Sequence, residues 1–263
     1  MKKSKYIYAF LLLFGATSCA DMLDRFPLDA LAPETYYNDE QELRSATNNF
    51  YGLFPGAPSG YGESEDVVCI FTLPEAVVGS RTIPTSGGGW DWGYLRNINF
   101  YLAHSHRCPD TAIRERYDGI ARFFRAYFYF EKVKRFGDVP WHEKAMASDD
   151  TDLTKPRDSR VFVVEKILED IDYAIAHISD KAELYRVTKW TAMALKSRIC
   201  LFEGTYRKYH GIPGYEALLD QCIAVSEEFI TSSPYSIYKG GEKPYRDLFS
   251  SMNAIAQEVI LAR

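Results

Sequence analysis

Three groups of side chains in this sequence have types and spacings that could do chemistry. His104, His106 and Cys108 alternate with Ser105 and Arg107. On an extended strand that alternation would turn three metal ligands to one side. The segment closes an expected helix, however, and Arg107 sits among the ligands, so imidazoles attracted by the helix C-terminus account for it without a metal. Two acidic clusters, Glu63/Glu65/Asp66 and Asp149/Asp150/Asp152, could supply the paired carboxylates of a glycosidase, which stand about 5–9.5 Å apart. Both fall in polar stretches, where solvated charge is the ordinary role. Trp90 and Trp92 are the third group. They follow Gly87-Gly88-Gly89 at an expected loop–helix junction, where planar indoles can stack on the apolar faces of sugar rings. The competing role is core packing. Residues i and i+2 of a helix point apart, so both rings serve one site only if they are not both helical. Trp92 is the more core-like; Trp90 is the stronger ligand-binding candidate. No G-x-S-x-G, Walker A, G-x-G-x-x-G or H-E-x-x-H motif occurs, so no catalytic residue, cofactor or metal is expected.

These residues must be positioned by helices. Leu43, Ala46, Thr47, Phe50 and Phe54 line one face of a helix starting near Asp39. Residues 55–89 are punctuated by Pro, Gly and Ser, with one apolar run at 67–73 that reads as a strand or buried loop. A loop-rich segment of that length is usually functional. Helix resumes near Trp90 and runs to His104. Residues 110–136 come next, with six rings between Phe123 and Phe130; a helix apolar on nearly every side belongs between other elements. Gly137 stops it and Pro140 prevents resumption. Asp158 or Ser159 caps the next helix, with its stripe Val161, Val164, Leu168, Ile171, Ile175, Ile178. Another starts near Thr188 and a third near Tyr215, and their short connection implies an antiparallel αα-hairpin. The repeat is irregular, so a strict 34-residue array is absent. The expectation is a mainly α fold of tetratricopeptide-like hairpins with long irregular loops.

The 263 residues carry a formal charge of −5, and Lys2, Lys3 and Lys5 offset acidity elsewhere. That field disfavours nucleic acid as a partner. A basic segment 1–5 and an uncharged apolar run 6–14 precede Gly15, Ala16, Thr17 and Ser18. The apolar run is far short of the roughly 20 residues that span a bilayer, so residues 1–18 read as a lipoprotein signal peptide. Cys19 then becomes the acylated N-terminus of a mature chain 19–263; Ala16 stands where a lipobox usually has Leu. Cys69, Cys108, Cys200 and Cys222 form no C-x-x-C pair, and the last two fall in helical patterns as small hydrophobes.

Several stretches carry a family resemblance. Cys19-Ala20-Asp21-Met22-Leu23-Asp24-Arg25-Phe26-Pro27-Leu28-Asp29 resembles the mature start of SusD/RagB-family outer-membrane lipoproteins. So do Leu95-Arg96-Asn97-Ile98-Asn99, the aromatic run 121–130 continuing into Phe136-Gly137-Asp138-Val139-Pro140, and residues 186–198. Helix followed by F-G-D-V-P is the most specific of these. The resemblance implies a SusD-like helical fold and a nutrient-binding lipoprotein, lipid-anchored at the outer membrane and facing the cell exterior. It implies a TonB-dependent, SusC-like transporter as partner and an oligosaccharide or polysaccharide, or in some members a peptide, as ligand. Ligand residues vary within the family, so Trp90 and Trp92 rest on their own chemistry. Family members run to about twice this length, and residues 258–263 read as the start of a strand, so the chain reads as the N-terminal part of a SusD-like domain, truncated at the C-terminus. A helical scaffold for protein partners is the competing function, and an anchored glycoside hydrolase the third.

Overall fold

The computed structural model describes residues 36–56 and 78–262. Cys19, Cys69, the 67–73 run and the Glu63/Glu65/Asp66 cluster lie outside them. Residues Tyr37–Arg263 form one compact unit, built among the described residues on seven α-helices: α1 (Glu40–Asn48), α2 (Gly93–His104), α3 (Thr111–Phe136), α4 (Arg160–His177), α5 (Lys189–Tyr209), α6 (Tyr215–Ser232) and α7 (Pro244–Ser250). Among the described residues no helix is long and apolar enough to cross a membrane.

The boundaries follow from local chemistry. Asp39, Asp110, Ser159 and Thr188 each take the N-cap and accept a backbone N–H from the first turn, satisfying donors that the helix itself cannot. Of the two candidates for the α4 cap it is Ser159 that serves, leaving Asp158 free for another role. Gly137, at φ 70°, ends α3 in a conformation that costs a side-chain-bearing residue more.

Helix α3 is the central rod. Phe123, Phe124, Phe128, Tyr129 and Phe130 are all buried, with α1, α2 and α4 packed around them. Phe50, Tyr51 and Phe54 bring their rings 6.0, 4.9 and 5.2 Å from Phe124, the first two edge to face and the third tilted. Helix α4 runs antiparallel to α3: Arg125 meets Asp170 at mid-length and Glu115 faces His177 near one end. Helices α5 and α6 form the expected hairpin, joined by Ser197 Oγ and Ser226 Oγ at 2.8 Å. The tetratricopeptide-like picture therefore holds.

Most of the charge buried inside this stack is paired. Glu203, 1% exposed, lies 2.7 Å from Arg160 Nε and 2.9 Å from Arg207 Nε. The Arg160 guanidinium also lies 3.6 Å from the centre of the Tyr206 ring. This triad ties the start of α4 to the end of α5. Cys108 and Cys200 are buried free thiols, and burial pushes the Cys200 thiol up to about 11, so it packs as an inert hydrophobe.

One expectation fails. Residues 258–262 form a turn and irregular chain instead of a strand. Ala262 N–H donates to Leu184 O at 2.8 Å, and Gln257 O accepts from Ser236 N–H at 2.9 Å. Single bonds to two different segments make no ladder. Ile260 instead packs on a cluster formed by Trp190, Met193 and Val225.

Candidate functional site

The connection between α3 and α4 folds back against the start of α2 and encloses a cavity of about 540 Å³. Trp90, Trp92, Leu95, Pro140, His142 and Met146 supply much of its apolar wall. Both tryptophans singled out in the sequence thus reach the same space. Helix α2 begins at Gly93, three residues later than its pattern suggests, with Trp92 as N-cap and Asp91 Oδ1 accepting the Gly93 N–H at 2.7 Å. Neither tryptophan is helical, so the rule that separates i from i+2 does not apply. Their rings meet edge to face, centroids 5.0 Å apart at 75°.

The glycines set this arrangement. Gly87, Gly88 and Gly89 all have positive φ, and Trp90 N–H donates back to Gly87 O at 3.0 Å. At Gly89 a Cβ would also press on the Arg135 guanidinium at 3.2 Å. The turn is held from beneath by Lys132, whose ammonium donates to Gly89 O and lies 4.9 Å from the centre of the Phe128 ring and 5.6 Å from that of Trp92. Burial among these rings lowers the Lys132 pKa, partly offset by Asp91. Trp90 rests on Phe136 at 4.8 Å and carries the Arg157 guanidinium 5.0 Å from its ring centre, yet remains 39% exposed. Trp92 is half-buried against Phe128, Tyr129 and His142. The division between a more open and a more core-like indole stands.

The opposite wall is F-G-D-V-P together with residues 141–157. Asp138 Oδ1 accepts the Arg160 N–H at 2.7 Å, joining the loop to the start of α4. Val139 pairs with Asp158 across an isolated antiparallel bridge, and Asp158 Oδ2 accepts the Trp141 N–H at 2.7 Å. Tyr129 donates to Pro140 O and accepts from the His142 N–H. Asn99 Nδ2 donates to the carbonyls of His142 and Lys144 at 2.8 and 3.2 Å; Arg125 holds the Asn99 oxygen at 3.2 Å and Asp170 at 2.6 and 2.7 Å. A buried polar network therefore carries the position of α4 to the cavity wall. Burial lowers the His142 pKa, and Lys155 lowers it further.

The remaining candidates go elsewhere. His104 Nδ1 lies 2.7 Å from Phe100 O and His106 Nδ1 2.9 Å from Ala103 O, so both imidazoles serve the end of α2. Cys108 Sγ points to Asp110 O. Asp150 accepts the Asp152 N–H, capping a single short turn. Asn99, Arg125 and Asp170 carry the site architecture, although sequence patterns alone do not single them out. The signals available are Arg125 standing inside the aromatic run 123–130 and the presence of Asn99 and Arg125 in stretches that carry the family resemblance.

A stack of antiparallel helical hairpins, with an aromatic cavity built on the loops at one side, defines the fold class and the candidate site. Residues 95–201 match the SusD-like family model described as starch-binding and associating with the outer membrane. SusD-like protein P25 of Formosa agariphila is 23% identical over 99% of this chain and 51% of its own length. SusD-like protein P38 of the same organism is 27% identical over 95% and 50%. A crystal structure of a SusD-like protein from Bacteroides fragilis superposes with a TM-score of 0.64 at 21% identity, over 85% of this chain and 44% of that one. A laminarin-binding SusD-like protein gives 0.51 at 21% identity, over 65% and 35%. Over residues 95–201 the chain resembles the SusD-like family, and it shares the fold of the SusD-like protein from Bacteroides fragilis. It spans about half the length of the curated relatives it matches.

Proposed function

We propose that this protein captures oligosaccharides or polysaccharides at the cell surface and passes them to a TonB-dependent, SusC-like transporter. In this reading residues 1–18 are removed, acylated Cys19 anchors the mature chain to the outer membrane facing outward, and Trp90 and Trp92 form part of the sugar platform. The observation that carries it is the pair of indoles meeting at one cavity, one of them open to solvent. Indole faces bind the C–H faces of pyranose rings without needing charge. The family description and the laminarin-binding relative agree with a carbohydrate ligand. Among the described residues no Asp or Glu lines the cavity, which supports a binding role over hydrolysis by a carboxylate pair.

Calorimetry of the full chain against a panel of oligosaccharides tests the reading, with protease treatment of intact cells as its second arm. Saturable sugar binding together with cleavage at the surface is expected. Absence of binding to every sugar removes the glycan role, and protection from protease favours a scaffold facing the periplasm.

A further inference from the structure

Resting on that glycan reading, we infer that the ligand is an acidic sugar chain, one bearing uronate carboxylates or sulfate esters. Trp90 separates two adjoining cavities. Beside the one of about 540 Å³ lies another of about 620 Å³, lined by the 81–88 segment, Phe136, Arg135 and Arg157, with Trp90 and Arg157 common to both. The charged residues lining the two together are Arg81, Arg96, Arg135, Lys144, Lys155 and Arg157, and among the described residues no Asp or Glu lines either. The protein as a whole carries a net charge of −5, so a run of cations without a lining carboxylate stands against the general balance.

Most of these cations are available. Lys155 pairs with Asp158 at 2.8 Å, but Arg81, Arg96, Arg135, Lys144 and Arg157 form no ion pair among the described residues. Arg157 and Arg135 are held in place without being neutralised: one lies 5.0 Å from the centre of the Trp90 ring, the other 5.7 Å from that of Phe136. Arg96 Nε donates to Met146 O, leaving the end of its guanidinium for another acceptor. Asp150 and Asp152 exert a field on His142, but both lie outside the two linings. A planar guanidinium beside an indole suits a sugar whose ring stacks while its equatorial carboxylate or sulfate takes two N–H donors. An inorganic polyphosphate would offer anions too, but it has no ring to stack on Trp90, and the oligonucleotide arm of the test covers a nucleic acid.

The test is calorimetry of the full chain with four probes: an oligogalacturonate, its methyl ester, a chondroitin sulfate oligosaccharide and a single-stranded oligonucleotide. The oligogalacturonate or the sulfated chain is expected to bind at least roughly tenfold more tightly than the neutral ester. That preference should collapse at high salt. Arg157→Gln and Arg96→Gln should remove most of it, weakening the acid far more than the ester. The uronate and sulfate arms distinguish which anion is read. Equal affinity for acid and ester, with binding still dependent on Trp90, overturns the acidic preference and leaves the glycan role standing. Tighter binding of the oligonucleotide overturns it in favour of a nucleic-acid ligand. Binding of none of the four overturns the acidic preference, and the glycan role falls with it only if the wider oligosaccharide panel also fails to bind.

Discussion

Arg125 clasps Asp170 through two parallel hydrogen bonds of 2.6 and 2.7 Å between α3 and α4, where the carboxylate is only 2% exposed. A third bond of 3.2 Å runs from the same guanidinium to Asn99, which holds the cavity wall. Removing Arg125 leaves the buried carboxylate with only the longer 3.5 Å contact to the half-exposed Arg122, and breaking a buried pair typically costs about 3–5 kcal/mol. Arg125→Met should therefore destabilise the protein by about that much in urea unfolding. Arg125→Met combined with Asp170→Leu should recover part of the loss, because the stranded carboxylate goes too. A single variant within about 1 kcal/mol of wild type would show that the pair is solvated.

The helices are legible because each carries its own signals: a polar cap, a 3-4 stripe, a glycine stop. Asp110, Ser159, Thr188 and Gly137 lie at the ends that their chemistry predicts. The site is legible only in part. Trp90 and Trp92 stand out by type, but whether they share a cavity depends on φ at three glycines and on where α2 starts, neither of which periodicity reports. The 138–157 wall has no period at all. It is shaped by bonds between residues dozens of positions apart, such as Asn99 to His142, and long-range pairing of that kind leaves no local pattern. The strand expected at 258–263 failed for a related reason: β-branched residues suit a strand, but a strand exists only where a neighbour can complete the ladder.

His142 should make stability depend on pH in a definite direction. Its imidazole is buried in the wall; burial first and Lys155 second hold its pKa below the usual value of about 6.5, while Asp152, Asp158 and Asp150 oppose them. The unfolded chain therefore takes up this proton at a higher pH than the folded one. The contribution to stability is fully present above about pH 6.5 and is lost as pH falls from there toward the folded pKa. The difference in unfolding free energy between wild type and His142→Gln should change with pH only in that acid window. Parallel curves from about pH 8 down to about pH 5 would rule out a titrating role.

Cys19→Ala should move the protein from the membrane fraction to the soluble fraction. Each buried methylene of an acyl chain is worth about 0.8 kcal/mol, so a multiply acylated cysteine holds the protein on the bilayer, and no described helix could replace it. Fractionation of cells carrying the variant reads the result directly. Retention in the membrane fraction would mean that some other attachment holds the protein there.

The two tryptophans should separate affinity from stability. Trp90 is the more exposed ring, supported by Phe136 and capped by Arg157, so truncating it removes ligand contact and little packing. Trp90→Ala should weaken glycan binding by about 2 kcal/mol, roughly thirtyfold, with an unchanged melting temperature. Trp92 packs on Phe128, Tyr129 and His142 at 5.6 to 6.1 Å between centroids, so Trp92→Ala should open a void beneath the cavity floor. A loss of about 2 kcal/mol in stability is expected, together with weaker binding because Trp90 loses the neighbour that orients it. Trp92→Phe should restore most of the stability and only part of the affinity, since a smaller ring fills the floor without reaching the sugar. Calorimetry and thermal melts on the three variants, run with whichever oligosaccharide binds the wild type, decide the matter. Normal affinity in all three, whatever their stability, would mean that these rings are packing and that sugar is held elsewhere on the protein.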